Sequence, residues 1–286
     1  MSTQPVERAA AKINLTLRVV GRRDDGYHTL ESLVAFADLA DTLTLAPGGA
    51  TALDISGPFA DACGTAADNL VLKAVAALGA RVAELKAGRF HLEKKLPVAA
   101  GIGGGSADAA AALRLLARLN AFAPDDSRVT AAALAVGADV PVCLASRARI
   151  MRGVGEQLSE PLMLTPLPAL MVNPGVPLST QEVFKAFAGR QGSTGDLSEV
   201  PAGAGALVEY LKRHPNDLTE PAIACAPVIA DVLAALNALT GVRLVRMSGS
   251  GPTCFALFAS AGDAAAGARR LSAGQRTWWV QPAMLG

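Results

Sequence analysis

The chain has 286 residues, which is enough for one large domain or two smaller ones with a sizeable buried core. Apolar residue types make up 51% and charged types 18%, and this balance excludes intrinsic disorder. The 26 basic residues nearly cancel the 25 acidic ones, so the net charge of +1 offers no basic field to a nucleic acid.

The sequence has no uncharged apolar run of about 18 residues, so we expect no transmembrane helix and no membrane partner. The N-terminal segment lacks the apolar region of a secretory signal. Four scattered cysteines form no CxxC pair, and the histidines His28, His91 and His214 lie far apart, so local spacing supports no zinc site. We therefore predict a cytoplasmic protein with reduced thiols.

In the first half of the chain, residues 12–20 alternate strictly between apolar and polar types, which predicts a strand with one buried face. A loop at 21–27 follows, and short strands are predicted at 41–47, 51–55 and 89–95. A helix is predicted at 68–85 with Asp68 as its N-cap, and further helices at 103–120 and 127–136.

In the second half, an apolar run ends in a turn near residue 174, and Ser179 and Glu182 form a capping box for the next helix. Residues 189–204 are typical of a surface loop, and 226–239 of a helix. The segment 242–258 predicts two strands joined by a glycine turn, and a helix follows it. Because strands and helices mix without a regular βαβ order, we predict an α+β fold in two lobes, residues 1–155 and 156–286.

The strongest local signal is a glycine-rich segment, Gly101-Ile-Gly-Gly-Gly-Ser106, directly before an alanine-rich helix. Glycines let backbone amides wrap an anion, and the helix N-terminus adds unpaired donors and a positive dipole end. The segment is neither a Walker A loop nor GxGxxG, and HRD and DFG motifs are absent. By itself it predicts a polyphosphate site or, alternatively, a glycine turn without a ligand.

Three weaker signals accompany this loop. A second glycine turn, Met247-Ser-Gly-Ser-Gly-Pro252, fits either a tight hairpin or a part of the site. Lys12 and Asn14 share the polar face of the first strand. This face is either the solvated side of an edge strand or part of a site that holds a hydroxyl or a phosphate. Asp139 stands in an otherwise apolar stretch, so it either caps a turn or is a base partnered by a lysine.

Three motifs in this order resemble those of the GHMP kinase superfamily of small-molecule kinases. They are AKINLTLRVVGRRDDGYHTLESL at 11–33, LPVAAGIGGGSADAAAALR at 96–114 with GADVPV at 137–142, and RMSGSGPTCF at 246–255. The resemblance covers nearly the whole chain. Its segment GRRDDGYHTL resembles the corresponding segment of those members that act on a cytidyl substrate. Where many members have a second loop serine, this chain has Ala107.

The resemblance implies a two-lobe α+β sandwich with the active site in the cleft between an N-terminal ATP-binding lobe and a C-terminal substrate-binding lobe. It implies that Asp139 is the catalytic base and Lys12 its partner, and that Asn14 positions the substrate. ATP would be held through Gly101, Gly103, Gly104, Gly105, Ser106, Asn69, Lys94 and Lys95, and cytosine through Tyr27, His28 and Phe184.

ATP is thus the expected co-substrate, and Mg²⁺ is expected with it, although no residue of the chain is identified as a metal ligand. Two alternatives remain at this point. One is a member of the same superfamily acting on mevalonate, homoserine or a sugar, and the other is a catalytically dead nucleotide-binding regulator.

Overall fold

The protein, seen in a computed structural model, is described over residues 4–24, 26–65, 68–123, 125–194, 197 and 199–286. The strands are β1 (Val6–Asn14), β2 (Arg18–Arg22), β3 (His28–Pro47), β4 (Ala52–Ser56), β5 (Gly88–Glu93), β6 (Arg149–Gly153), β7 (Gln157–Leu158), β8 (Leu167–Asn173), β9 (Val242–Met247), β10 (Cys254–Phe258) and β11 (Trp279–Leu285). The helices are α1 (Leu70–Gly79), α2 (Gly104–Leu119), α3 (Ser127–Val136), α4 (Val140–Ala145), α5 (Thr180–Phe187), α6 (Ala204–Arg213), α7 (Thr219–Cys225), α8 (Val228–Asn237) and α9 (Ala261–Gly274).

The chain divides into two units, each built from three segments. The first comprises Met1–Ala11, Leu39–Val98 and Gly103–Ser146, and the second Lys12–Asp38, Ala99–Ile102 and Arg147–Gly286. These units differ from the predicted continuous lobes 1–155 and 156–286, because β1 and β3 each run from one unit into the other. The assignment of ATP to one lobe and of substrate to the other stays a prediction.

In the first unit, β4 runs parallel to β5, and β5 pairs antiparallel with the second half of β3. Helices α1 to α4 pack on one another. Helix α2 buries four consecutive alanines, Ala109 to Ala112, and these small side chains let α1 and α4 approach its backbone closely. The described residues of this unit thus hold a mixed sheet segment and a helical layer.

In the second unit, the antiparallel strand order is β11-β8-β10-β9. The first half of β3 pairs with β2 and β6, and Ala37 pairs with Leu285 of β11. Apolar residues of β8 and β10 form one core cluster with residues of α7, α8 and α9. The predicted α+β class is confirmed.

The first predicted strand is corrected in two ways. It breaks into β1 and β2, because the amides of Leu15 and Thr16 both donate to the Leu33 carbonyl, as in a bulge. Its polar face is not solvated, since Lys12, Asn14 and Thr16 are at most 4% exposed. Alternation revealed the strand, but it did not reveal that both faces are covered.

The predicted helix at 68–85 is shorter than expected. Its N-cap is Asn69, whose side-chain oxygen accepts from the Val71 amide at 2.9 Å, while Asp68 accepts from the Thr65 hydroxyl. The helix ends at Gly79, a residue of low helix propensity. Helices α4, α6 and α7 were not predicted.

Most other predicted elements are present. The Ser179 hydroxyl accepts from the Glu182 amide at the start of α5, so the predicted cap of this helix is confirmed. Strands β9 and β10 pair antiparallel on either side of the glycine turn. Within the predicted loop 189–204, the described residues before Ala204 form neither helix nor strand, and 195, 196 and 198 lie outside the described residues.

Candidate active site

The glycine segment leads into α2 through a left-handed residue. Gly103 is the N-cap of the helix, with φ of 63°, and the first backbone bond inside the helix runs from the Ala107 amide to the Gly103 carbonyl at 2.8 Å. As in any helix, the first amides, here those of Gly104, Gly105 and Ser106, have no acceptor within the helix. No side chain among the described residues caps this end, so these donors are available to a ligand. A 16-residue helix with an uncapped first turn is well suited to bind an anion.

Gly104 itself adopts ordinary helical geometry and does not need the conformational freedom of glycine. A Cβ atom there would lie 3.3 Å from Lys94 Nζ, so a side chain at this position would press on the lysine under the helix. Gly101 differs, because it has φ of 71° and its added Cβ would lie 2.5 Å from the Gly251 carbonyl oxygen. Glycine is therefore required at 101 for both conformation and space.

The second glycine turn is hydrogen-bonded to residues 99–102, the segment that leads into α2. The Ser248 hydroxyl donates to the Gly101 carbonyl and accepts from the Asn14 amide, each at 3.0 Å. The Thr253 amide donates to the Ala100 carbonyl at 3.2 Å, and the Lys12 amide to the Ile102 carbonyl at 2.9 Å. Residues 99–102 are thus bonded to both β1 and the turn, so the turn is more than a plain hairpin.

A buried ion cluster lies at the start of α2. Lys94 Nζ donates to Asp41 Oδ2 at 2.6 Å and to Asp108 Oδ2 at 2.5 Å, and all three side chains are at most 3% exposed. Asp41 Oδ1 also accepts from the Lys95 and Leu96 amides. Asp108 Oδ1 is buried, and none of the described residues offers it a hydrogen-bond partner. The cluster joins α2 to β3 and to Lys94, the residue that directly follows β5.

The pKa of Asp108 is raised to about 7, mainly by burial. The positive charge of Lys94 lowers this pKa, and the negative charge of Asp41 raises it further. Burial by itself lowers the pKa of Lys94, but Asp108 and Asp41 outweigh it and hold that pKa above its usual value. One ammonium faces two carboxylates, so the cluster favours an additional proton. Two of the three donors of the Lys94 ammonium are engaged here, and its predicted contact to adenosine stays a prediction.

Asp139 stands at the N-cap position of α4 and is half-buried. Its side chain makes no capping hydrogen bond, so the alternative that it serves as a helix cap is not supported. Lys12 is 4% exposed and belongs to the second unit, whereas Asp139 belongs to the first. Their predicted pairing stays a prediction.

Asn14 is the best-defined member of the predicted substrate site. Its side-chain nitrogen donates to the Ser32 hydroxyl at 2.7 Å, and its backbone amide donates to Ser248. The amide side chain is therefore held in one orientation by β3.

The three residues predicted to take cytosine lie in the second unit. Tyr27 is 67% exposed, and the His28 ring stacks on Phe184 with centroids 5.0 Å apart and planes at 21°. The Phe187 ring lies nearly perpendicular to the His28 ring, with the two centroids 6.0 Å apart. Burial, followed by the charge of Arg22, lowers the pKa of His28, so its ring is neutral at pH 7 and offers one donor and one acceptor.

The remaining residues predicted to approach adenosine are Asn69 and Lys95. Asn69 uses its side-chain oxygen to cap α1, and Lys95 pairs with Glu93 at 2.7 Å on the surface. Within the described residues, no group of three or more His, Cys, Asp or Glu side chains could hold a metal ion.

Sequence reasoning singled out neither Asp41 nor Asp108, which form the buried cluster with Lys94, and it left the role of Ser248 open. Asp108 carried a signal, since it is a charged residue within the alanine-rich helix directly after the loop. Its partners could not be identified, because Asp41 lies 67 positions earlier and nothing in the sequence joins the two.

Comparison with known proteins identifies the family of this chain. Residues 69–147 match the N-terminal domain of the GHMP kinases, and residues 199–276 match their C-terminal domain. The chain therefore belongs to the GHMP kinases, a family of ATP-dependent small-molecule kinases. No helix within the described residues is long and apolar enough to cross a membrane.

Within this family the chain is similar to proteins named 4-diphosphocytidyl-2-C-methyl-D-erythritol kinase. One from Rhodopseudomonas palustris strain BisB5 is 58% identical, with 98% of each chain covered, and one from Methylorubrum extorquens is 55% identical, covering 97% of this chain and 98% of the relative. A crystal structure of 4-(cytidine 5'-diphospho)-2C-methyl-D-erythritol kinase is 34% identical, with a TM-score of 0.80 and 99% of each chain covered. A homoserine kinase from Cytophaga hutchinsonii, 17% identical with a TM-score of 0.71 over 99% of this chain and 95% of that one, shares the fold.

Proposed function

We propose that the protein transfers the γ-phosphoryl group of ATP to the 2-hydroxyl of 4-diphosphocytidyl-2-C-methyl-D-erythritol, a step of non-mevalonate isoprenoid precursor biosynthesis. The observation that carries this proposal is the 55–58% identity, over 97% or more of the chain, to relatives bearing that kinase name. The bare first turn of α2 supports it, since such a turn provides the donors that a polyphosphate needs.

In this proposal the ATP phosphates bind the amides of Gly103, Gly104, Gly105 and Ser106, and Gly101 shapes the entrance of the loop. Asn69, Lys94 and Lys95 approach the adenosine. Mg²⁺ accompanies the nucleotide, because this ion is commonly held by substrate phosphates with few protein ligands. When bound, it neutralises the charge on the β- and γ-phosphates.

Asp139 acts as the general base. The substrate hydroxyl oxygen forms a bond to the γ-phosphorus, its proton passes to the Asp139 carboxylate, and the bond from the γ-phosphorus to the ADP oxygen breaks. Lys12 stabilises the developing alkoxide and keeps the carboxylate ionised, and Asn14 positions the polyol. The fixed orientation of Asn14 on Ser32 supports this last role.

Tyr27 and Phe184 stack on the two faces of cytosine, and His28 hydrogen-bonds its edge. Because His28 covers Phe184 in the present structure, the imidazole has to move aside when the base binds. The exposure of Tyr27 supports the proposal, since an open ring is available to a ligand.

We place the protein in the cytoplasm, acting on a small molecule with no nucleic-acid or membrane partner. The net charge of +1 and the four free cysteines, Cys63, Cys143, Cys225 and Cys254, support this placement.

The test measures phosphate transfer from ATP to the cytidyl diphosphate polyol by the wild-type protein and by Asp139→Asn. We expect turnover by the wild type and a loss of about two to four orders of magnitude in kcat for the variant. Asp126→Asn is the matched control, because this aspartate also begins a helix but caps it on the surface.

Transfer to mevalonate, homoserine or a sugar in place of the cytidyl substrate would assign the protein to another member of the family. ATP binding without transfer to any of these acceptors would identify a nucleotide-binding regulator. Near-normal kcat in a folded Asp139→Asn protein would remove Asp139 from the role of base.

A further inference from the structure

We propose that Arg114 is a positioning residue for Asp139, fixing helix α4 against α2 and β1. The inference rests on the proposed role of Asp139 in phosphoryl transfer and extends it to a residue far from the loops. It is carried by the contacts of one guanidinium group on α2 with two other elements of the first unit, α4 and β1.

On one side, Arg114 binds the C-terminal end of α4. Its Nη1 donates to the Cys143 carbonyl at 2.8 Å and to the Leu144 carbonyl at 3.3 Å. These carbonyls belong to the last turn of α4, where helix carbonyls lack intrahelical partners and the dipole favours a cation.

On the other side, the same guanidinium binds β1. Its Nε donates to Glu7 Oε2 at 2.6 Å, and its Nη2 donates to the Arg8 carbonyl at 2.8 Å. The Arg114 side chain is 23% exposed and Glu7 15%, so the ion pair is shielded from most of the solvent. The planar fork of arginine fixes the directions of all these bonds together, which a lysine could not do.

Helix α4 needs such an anchor. It has six residues, and a helix of that length has little stability of its own. Its first position follows Asp139 directly, so a shift of α4 along α2 would move the Asp139 carboxylate.

The first turn of helix α2 would hold the phosphates, and Arg114 on the same helix holds α4. Arg114 lies ten positions after Gly104, or roughly 15 Å along the helix axis. One rigid helix therefore sets the distance between the phosphate site and the base. Misplacement of a catalytic group by about 1 Å can cost up to 10²-fold in rate.

The chain offers a matched control one turn further along α2. Arg118 Nη1 pairs with the other oxygen of Glu7 at 2.5 Å, and its Nη2 donates to the Val6 carbonyl at 3.2 Å. These bonds of Arg118 go to β1. Arg114 and Arg118 thus share Glu7 but differ in the bonds to α4.

The experiment compares Arg114→Met, Arg114→Lys and Arg118→Met with the wild type. Methionine keeps most of the aliphatic stem and removes the guanidinium. We expect kcat for transfer to the cytidyl substrate to fall roughly tenfold in Arg114→Met, with KM for ATP within about twofold, because the first turn of α2 is untouched. Arg114→Lys should recover part of kcat, and Arg118→Met should stay within about twofold of wild type.

Hydrogen-exchange mass spectrometry on residues 139–146 provides a readout that does not depend on turnover. We expect this peptide to exchange about tenfold faster in Arg114→Met than in Arg118→Met. Equal exchange or equal kcat in these two variants would overturn the proposal, as would a matched rise in KM for ATP without rescue by lysine. If the wild type fails to phosphorylate the cytidyl substrate but exchange differs as expected, the proposed function falls while the anchoring of α4 by Arg114 stands.

Discussion

At the scale of single residues, the proposed cytosine site consists of Tyr27, His28 and Phe184. The His28 and Phe184 rings stack on each other, and Tyr27 stands exposed next to His28 in the chain. In the proposed function, a cytosine ring replaces the contact between imidazole and phenyl with contacts of its own. We therefore expect substrate affinity to depend on the stacking that Tyr27 adds.

We expect Tyr27→Ala to raise KM for the cytidyl substrate by about one to two orders of magnitude and to leave KM for ATP nearly unchanged. The reason is that stacking of a base on an aromatic side chain contributes roughly 1–3 kcal/mol. Steady-state kinetics with each substrate varied in turn measures both constants. Tyr27→Phe, which keeps the ring, serves as the control, and a shift in the ATP constant alone would place the cytosine pocket elsewhere.

Lys94 and Lys95 show that adjacent, identical residues can have different surroundings. The resemblance assigns both to the adenosine. Lys94 is buried against two aspartates, whereas Lys95 lies on the surface beside Glu93. Both residues follow β5 directly, and their burial depends on which segments of the fold pack against each side chain.

At the scale of elements, the turn Ser248–Gly251 and the segment 99–102 form one structure. Their backbones approach so closely that a Cβ on Gly249 would lie 2.9 Å from the Gly101 carbonyl oxygen. Ser248 bridges them, and it is 0% exposed. The second glycine turn is therefore a support for the first loop and for β1.

We expect Ser248→Ala to lower the free energy of unfolding by about 1–3 kcal/mol, because it leaves the buried Asn14 amide and the Gly101 carbonyl without their partner. Urea denaturation measures the change. Ser250→Ala is the control within the same turn, since its hydroxyl pairs with Thr180 in a partly buried place where water can substitute. A loss as large in Ser250→Ala would contradict a special role of Ser248.

At the scale of the whole molecule, the buried cluster of Lys94, Asp41 and Asp108 makes stability depend on pH. Burial raises the pKa of Asp108 to about 7 in the folded protein, whereas an unfolded aspartate has a pKa of about 3.9. Between these values the folded protein holds more protons than the unfolded chain. The free energy of unfolding therefore falls as the pH rises from about 4 to about 7.

We expect Asp108→Asn to flatten this dependence, because asparagine fills the same space and does not titrate. The measurement is urea unfolding at pH 5, 6, 7 and 8 for the variant and the wild type. Asp54→Asn, which removes a surface carboxylate paired with Arg89, should leave the slope as it is. An unchanged slope in Asp108→Asn would show that other groups carry the pH dependence.

Local sequence patterns determined much of this protein. Alternation and helical spacing located most strands and helices, because each depends on neighbours within a few positions. Glycines before an alanine-rich helix predicted an anion-binding loop at 101–106, and an isolated carboxylate made Asp139 a candidate base. The order of the three motifs indicated the family, and with it the α+β fold.

Tertiary structure decided what those residues contact. Sequence could not show that Lys12, Asn14 and Thr16 are all buried, since burial depends on what the fold brings against a strand. It could not join Asp41 with Lys94 and Asp108, or Ser248 with Gly101, because separations of 53 to 147 positions leave no local trace. Nor could it reveal that Arg114 reaches the end of α4, a helix too short for its periodicity to be recognised. Patterns over a few residues determine elements, whereas buried charges and hydroxyls acquire their partners only when distant segments pack together.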